Sequence, residues 1–163
     1  MSTGTKVVVG IAVALVVLGI TCVGGIVGLG LWMVNNVPEG IVLDFDYPDN
    51  VAVGDEFEIT MTIENLLDKP RSLVDVDFYS SVLDGVSIES TSPIPVADSG
   101  GYVLGSRTLS FNQTIPAEGE IVIIFTMTAL EAGYFTGDVD LSIDALLSIY
   151  STTQTIVIEE PEN

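Results

Sequence analysis

Two patterns of apolar residues divide this chain. From Val7 to Val34 the sequence VVVGIAVALVVLGITCVGGIVGLGLWMV runs without a charged residue, Pro, Asn or Gln. A bilayer core is crossed by about 20 apolar helical residues, so this run predicts a single N-terminal transmembrane α-helix with some tilt. After it, apolar residues alternate with polar ones, the period of half-buried strands. Ile41, Leu43, Phe45 and Tyr47 alternate with Asp44 and Asp46; Phe57, Ile59, Met61 and Ile63 alternate with Glu58, Thr60, Thr62 and Glu64. The same period places Val74, Val76 and Phe78 against Asp75 and Asp77, and Ile121, Ile123, Phe125 and Met127 on a later core face.

Breakers space these runs. Pro38 and Gly40 mark a linker, Pro48-Asp49-Asn50 a turn, and residues 66–71 a loop containing Pro70. The pattern predicts strands over 41–47, 56–65, 73–79, 83–89 (broken by Asp84-Gly85), 107–111, 120–129, 138–146 and 149–159. Residues 91–101, rich in Ser, Pro and Gly, form the longest predicted loop, and Ala132-Gly133 and Gly137 bound a bend. Eight or nine short strands, turn signals every 8–12 residues and no helical period beyond the anchor predict an all-β, antiparallel Ig-like β-sandwich. The expected layout is a cytoplasmic N-terminus over 1–6, a transmembrane helix over 7–34, a linker over 35–40, an extracytoplasmic sandwich over 41–159 and a polar tail over 160–163.

The apolar run is nearly twice the length of a signal-peptide core, and no A-x-A site follows it, although Gly28-Leu29-Gly30 offers small residues. A lipoprotein box before Cys22 would have to be Gly19-Ile20-Thr21, a poor match, with twelve apolar residues still to come. The run therefore reads as a retained anchor. Lys6 precedes it and only acids follow nearby, which places the N-terminus in the cytoplasm, and Trp32 suits the outer interface. Gly10, Ala14, Val17, Thr21, Gly24 and Gly28 fall on one helical face, a candidate seam for self-association.

The segment from Glu39 onward carries 23 acidic and three basic residues, a net charge of −20. Such a surface repels phosphate backbones and excludes nucleic acid as a partner; it suits cationic partners or divalent ions. Acidity with almost no Lys also fits adaptation to salt, although charged residues make up only 17% of the chain. There is no His, and the single Cys lies in the apolar run. Ser–His and Cys–His nucleophilic systems and the usual zinc sites are thereby removed, as is an intrachain disulfide.

Three stretches resemble Ig-like cell-surface modules of the CARDB and DUF11 kind. Val53-Gly54-Asp55-Glu56-Phe57 through Ile63-Glu64-Asn65 resembles their opening strand. Pro116-Ala117-Glu118-Gly119-Glu120 with the following IVIIFTMTA resembles a later one, and Gly133-Tyr134-Phe135 before Val139-Asp140-Leu141 is similar to their closing pair. The resemblance covers most of 41–159 and implies a surface interaction or spacer module. The antibody-type Cys…Trp…Cys pattern is absent.

Carboxylates are the plentiful polar groups. Asp44, Asp46 and Asp49, Asp75 and Asp77, and Asp138, Asp140 and Asp144 are candidates for calcium if they meet at one end of the sandwich; otherwise they are solvated outer-face positions. Asp98-Ser99-Gly100 matches one aspartic-protease box where that chemistry needs two, so it reads as a turn. Asn112-Gln113-Thr114 fits the N-glycosylation acceptor, and Tyr79, Tyr102, Tyr134 and Tyr150 are candidates for a recognition patch. No cofactor is expected. The leading expectation is a non-catalytic interaction or structural module of the cell envelope, tethered by one membrane span and meeting a protein partner or itself through the helix or the sandwich. The alternative is a filament subunit like pilins or archaellins, its helix packed in a fibre core, although Lys6-Val7 lacks the usual small residue after the basic one and the mature glutamate of bacterial pilins is missing. A glycosidase using carboxylates alone comes third.

Overall fold

Ten strands build two sheets in the computed structural model, which describes residues 38–101, 105–144 and 149–161. The predicted anchor, its small-residue face at Gly10, Ala14, Thr21, Gly24 and Gly28, and Tyr102 lie outside the described residues. Among the described residues no helix is long and apolar enough to cross a membrane. Pro38–Asn163 forms one compact unit.

The strands are β1 (Ile41–Asp46), β2 (Val51–Ala52), β3 (Glu56–Asn65), β4 (Arg71–Tyr79), β5 (Val86–Ser92), β6 (Ala97–Asp98), β7 (Ser106–Ile115), β8 (Gly119–Ala129), β9 (Gly133–Ile143) and β10 (Ile149–Glu159). One sheet has the order β1-β3-β8-β5 and the other β2-β10-β9-β4-β7-β6. All pairs are antiparallel except β2 with β10, so the expectation of a purely antiparallel sandwich is corrected at that edge.

The alternation read from the sequence lines the space between the sheets. Phe57, Ile59, Met61 and Ile63 from β3 and Ile123, Phe125 and Met127 from β8 are buried, facing Phe78, Leu109, Phe111, Val139 and Leu141 of the opposite sheet. Phe125 packs edge-on to Phe78 at 5.0 Å and to Phe111 at 6.5 Å between ring centroids, tying the layers together. Each such buried side chain contributes about 1.5–3 kcal/mol of transfer free energy.

Several expectations are revised. In β4 the buried apolar residues are Leu73, Val76 and Phe78, not Val74, and Asp75, a candidate for a solvated outer-face acid, is buried as well. A bulge between Leu73 and Asp75 shifts the strand's phase by one residue. Of the strand expected over 83–89, residues 86–89 open β5, which extends to Ser92, while Leu83 before the break at Asp84-Gly85 closes a four-residue helix, α1 (Ser80–Leu83). The loop expected over 91–101 contains β6, and the short strand over 107–111 is the ten-residue β7, carried through polar residues by its pairing with β4. Gly137 is not a bend. It sits within a continuous β9 that ends at Ile143 rather than Leu146, and a Cβ there would strike Ser81 and the Val82 backbone N at 2.8 Å. The glycine lets α1 rest on the strand.

The chain enters the sandwich through a clamped turn. Arg71 Nη1 donates to Glu39 O and Leu66 N donates to Gly40 O, both at 2.8 Å.

Candidate functional site

The strand pairing divides the candidate acids among three places. Asp75 and Asp77 of β4 and Asp138 and Asp140 of β9 share the outer face of the larger sheet. Asp77 lies directly opposite Asp140 in the register, Asp75 opposite Ser142, and Asp138 opposite Thr153. Directly opposed residues bring their Cβ atoms within about 5.5 Å, so the Asp77–Asp140 pair is a like-charge contact. Thr108 donates to Asp77 Oδ1, Tyr79 donates to Asp140 Oδ2 at 3.3 Å, and Thr153 donates to Asp138 Oδ1 at 2.7 Å. The other carboxylate oxygen of Asp140 is buried without a hydrogen-bond partner.

These neighbours perturb titration. Burial pushes the Asp77 carboxyl above its ordinary value, the Thr108 hydroxyl opposes this, and the charges of Asp75 and Asp140 add to the rise. The Tyr79 phenol is raised chiefly by the charge of Asp140. The crowding favours the protonated form of the Asp77 carboxyl.

Asp44, Asp46 and Asp49 meet elsewhere. With Leu43, Phe45, Tyr47, Thr152 and Gln154 they line an open cleft of about 420 Å³ between β1 and β10. Tyr47 donates to Gln154 Oε1 at 3.3 Å across it, and Gln154 donates to Thr152 at 3.2 Å. The three acids are exposed.

Asp144, grouped with Asp138 and Asp140 in the sequence, is separate from them. It accepts from Arg71 Nε at 2.5 Å and from Ser72 N at 2.8 Å, and latches β4 to the end of β9. Among the described residues no group of three or more His, Cys, Asp or Glu is placed to hold a metal ion.

The Asp98-Ser99-Gly100 stretch is a turn. Arg107 grips Asp98 at 2.8 and 3.2 Å, Gly100 N donates to Asp98 Oδ1 at 2.8 Å, and Ser99 Oγ donates to Gly101 O at 2.8 Å. The Arg107 hydrogen bond holds the Asp98 carboxyl below its ordinary range. This ion pair walls a groove of about 380 Å³ between β5 and β7, floored by Ile88 and Leu109 and edged by Ile94, which is 85% exposed beside Val96 at 68%. Sequence reading missed this groove because nothing local links Arg107 to β5.

The tyrosines do not form one patch. Tyr150 packs against the core, Tyr79 is held by Asp140, and Tyr134 is exposed. Asn112 and Thr114 are both exposed on β7.

No protein-family model matches the chain, and no curated protein matches it. Among solved structures, the cupredoxin domain of amoB from Nitrosocaldus yellowstonii is similar, at 15% sequence identity and a TM-score of 0.48, covering 77% of this chain and 91% of that one. The similarity is of overall β-sandwich shape and carries nothing about chemistry.

Proposed function

We propose that the protein is a single-pass, membrane-tethered, extracytoplasmic module of the cell envelope, non-catalytic, with an Ig-like sandwich as its interaction or structural surface. The observation that carries this reading is the order of the chain. An uncharged apolar run over 7–34 is followed, after residues 35–37, by a turn clamped to the sandwich through Glu39 and Gly40. A run of that length spans a bilayer. The spatial order β1-β3-β8-β5 opposite β10-β9-β4 parallels the ABED and GFC layout of Ig sandwiches and supports the finer fold reading, while β2, β7 and β6 extend the larger sheet beyond that layout.

Copper does not enter this proposal. A blue-copper centre takes two His and a Cys thiolate, and this chain has no His and one Cys, inside the apolar run.

A filament subunit is the second reading. Ile94 and Val96, exposed together on the β5–β6 connection, favour it as apolar surface for lateral contacts. Detergent extraction of native membranes followed by intact mass separates the two. A full-length 17.2 kDa polypeptide, with or without added saccharide mass, released only by detergent supports the tether. A chain shortened by its first few residues, in a sheared high-molecular-weight fraction, overturns it in favour of the filament.

A further inference from the structure

Asn112-Gln113-Thr114 is the chain's one N-x-[ST] stretch. Transfer of an N-linked glycan needs an accessible Asn carboxamide and a Ser or Thr hydroxyl two residues on. On β7 both Asn112 and Thr114 are exposed while Phe111 and Ile115 beside them are buried. Asn112 has φ 50 and lies where β7 carries one residue more than β4, between the pairs Ser110–Asp75 and Gln113–Leu73. A bulge in the left-handed region turns that residue out of the ladder. Its carboxamide makes no hydrogen bond among the described residues. The left-handed φ would be met by Gly or Asp as well, and it does not account for an exposed hydroxyl at 114.

The strand's surroundings supply a reason for a glycan here. β6 pairs with β7 only at Leu109 and Ser110, so beyond Ser110 that side of the strand has no paired strand among the described residues. An open edge invites pairing with another chain, and natural sheets cover or blunt such edges. A saccharide at the bulge would mask this one.

We propose that Asn112 is an N-glycosylation site; this rests on the extracytoplasmic reading above. In the transfer, Asn112 Nδ2 bonds to the anomeric carbon of a lipid-pyrophosphate-linked oligosaccharide. The carbon–oxygen bond to pyrophosphate breaks, its electron pair leaves on the phosphate, and the amide proton passes to a base of the transferase.

The test is site-resolved mass spectrometry of the native full-length protein from its own membranes, after cleavage at glutamate to release Ser90–Glu118. The same intact cells are first treated with a membrane-impermeant amine reagent that reads the exposed Lys69. The expected result is a saccharide on Asn112, lost in Thr114→Ala and kept in Thr114→Ser; both variants leave the left-handed Asn in place and the fold intact. A bare Asn112 with Lys69 labelled, or a sugar on the Thr114 hydroxyl instead, overturns the site and leaves the tether standing. A bare Asn112 with Lys69 shielded overturns the tethered reading and the site with it.

Discussion

Replacing Asn65 with Ala should cost more than any other single polar substitution in the sandwich. Asn65 is fully buried at the end of β3. Its Nδ2 donates to Lys69 O and Pro116 O, both at 2.8 Å, and its Oδ1 accepts from Leu67 N at 3.1 Å. One carboxamide thus holds the β3–β4 loop and the β7–β8 turn against the sheet. Ala removes three hydrogen bonds, each worth about 0.5–1.5 kcal/mol net, and strands two carbonyls and an amide, so the loss is about 3 kcal/mol. For a domain of this size that lowers Tm by roughly 10 °C. Asn65→Asp keeps the acceptor but sets a carboxylate against two carbonyl oxygens, and should be at least as damaging. The assay is thermal unfolding of the full chain in detergent, followed by far-UV circular dichroism. Asn50→Ala, which removes an exposed 3.0 Å bond to Glu159, is the control and should stay within about 0.5 kcal/mol. An Asn65→Ala variant that melts with the control would refute the stitching role.

The crowded carboxylates predict a pH signature. Asp77 has its folded-state pKa raised above the ordinary 3.8, so the folded state takes up that proton first. Its contribution is fully present below 3.8 and is lost as pH rises through the raised value, leaving a cost at neutral pH. Asp77→Asn should therefore raise Tm at pH 7 and flatten the profile above 3.8; profiles that stay parallel to wild type would contradict this. Asp98 has the opposite sign, because its pKa is lowered: the support it gives through Arg107 is present above 3.8 and fades as pH falls through the depressed value, a loss that Asp98→Asn should abolish in the same titration. Gly137→Ala should destabilise by about 1–3 kcal/mol, since α1 must move off β9. Adding Ser81→Ala should recover only part of it, because the Val82 backbone still blocks the methyl; full recovery in the same melting assay would show that the helix can shift.

Strands whose two faces differ were legible. β3 and β10 match their predicted bounds because apolar and polar residues alternate, or turn residues flank them, without interruption. The phase of β4 was not legible, since a bulge is set by the neighbouring strands rather than by the run LVDVDF itself. β7 was read as half its length because Asn112, Gln113 and Thr114 carry no apolar signal and are held in the strand by β4. α1 is a single turn, too short for a helical period to register. Gly137 looked like a breaker because a sequence does not distinguish a glycine that bends from one that admits a neighbour. The candidate site shows the same limit. That Asp77 faces Asp140, and that Asp144 leaves its group to hold Arg71, depend on register between strands more than 60 positions apart.

The chain's two lysines test the central claim most directly, because the proposed span lies between them. Intact cells treated with a membrane-impermeant amine reagent, then compared with lysed cells, report each lysine by peptide mass. The account predicts Lys69 labelled in intact cells and Lys6 labelled only after lysis. Lys69 shielded until lysis would place the sandwich on the cytoplasmic side and contradict the account.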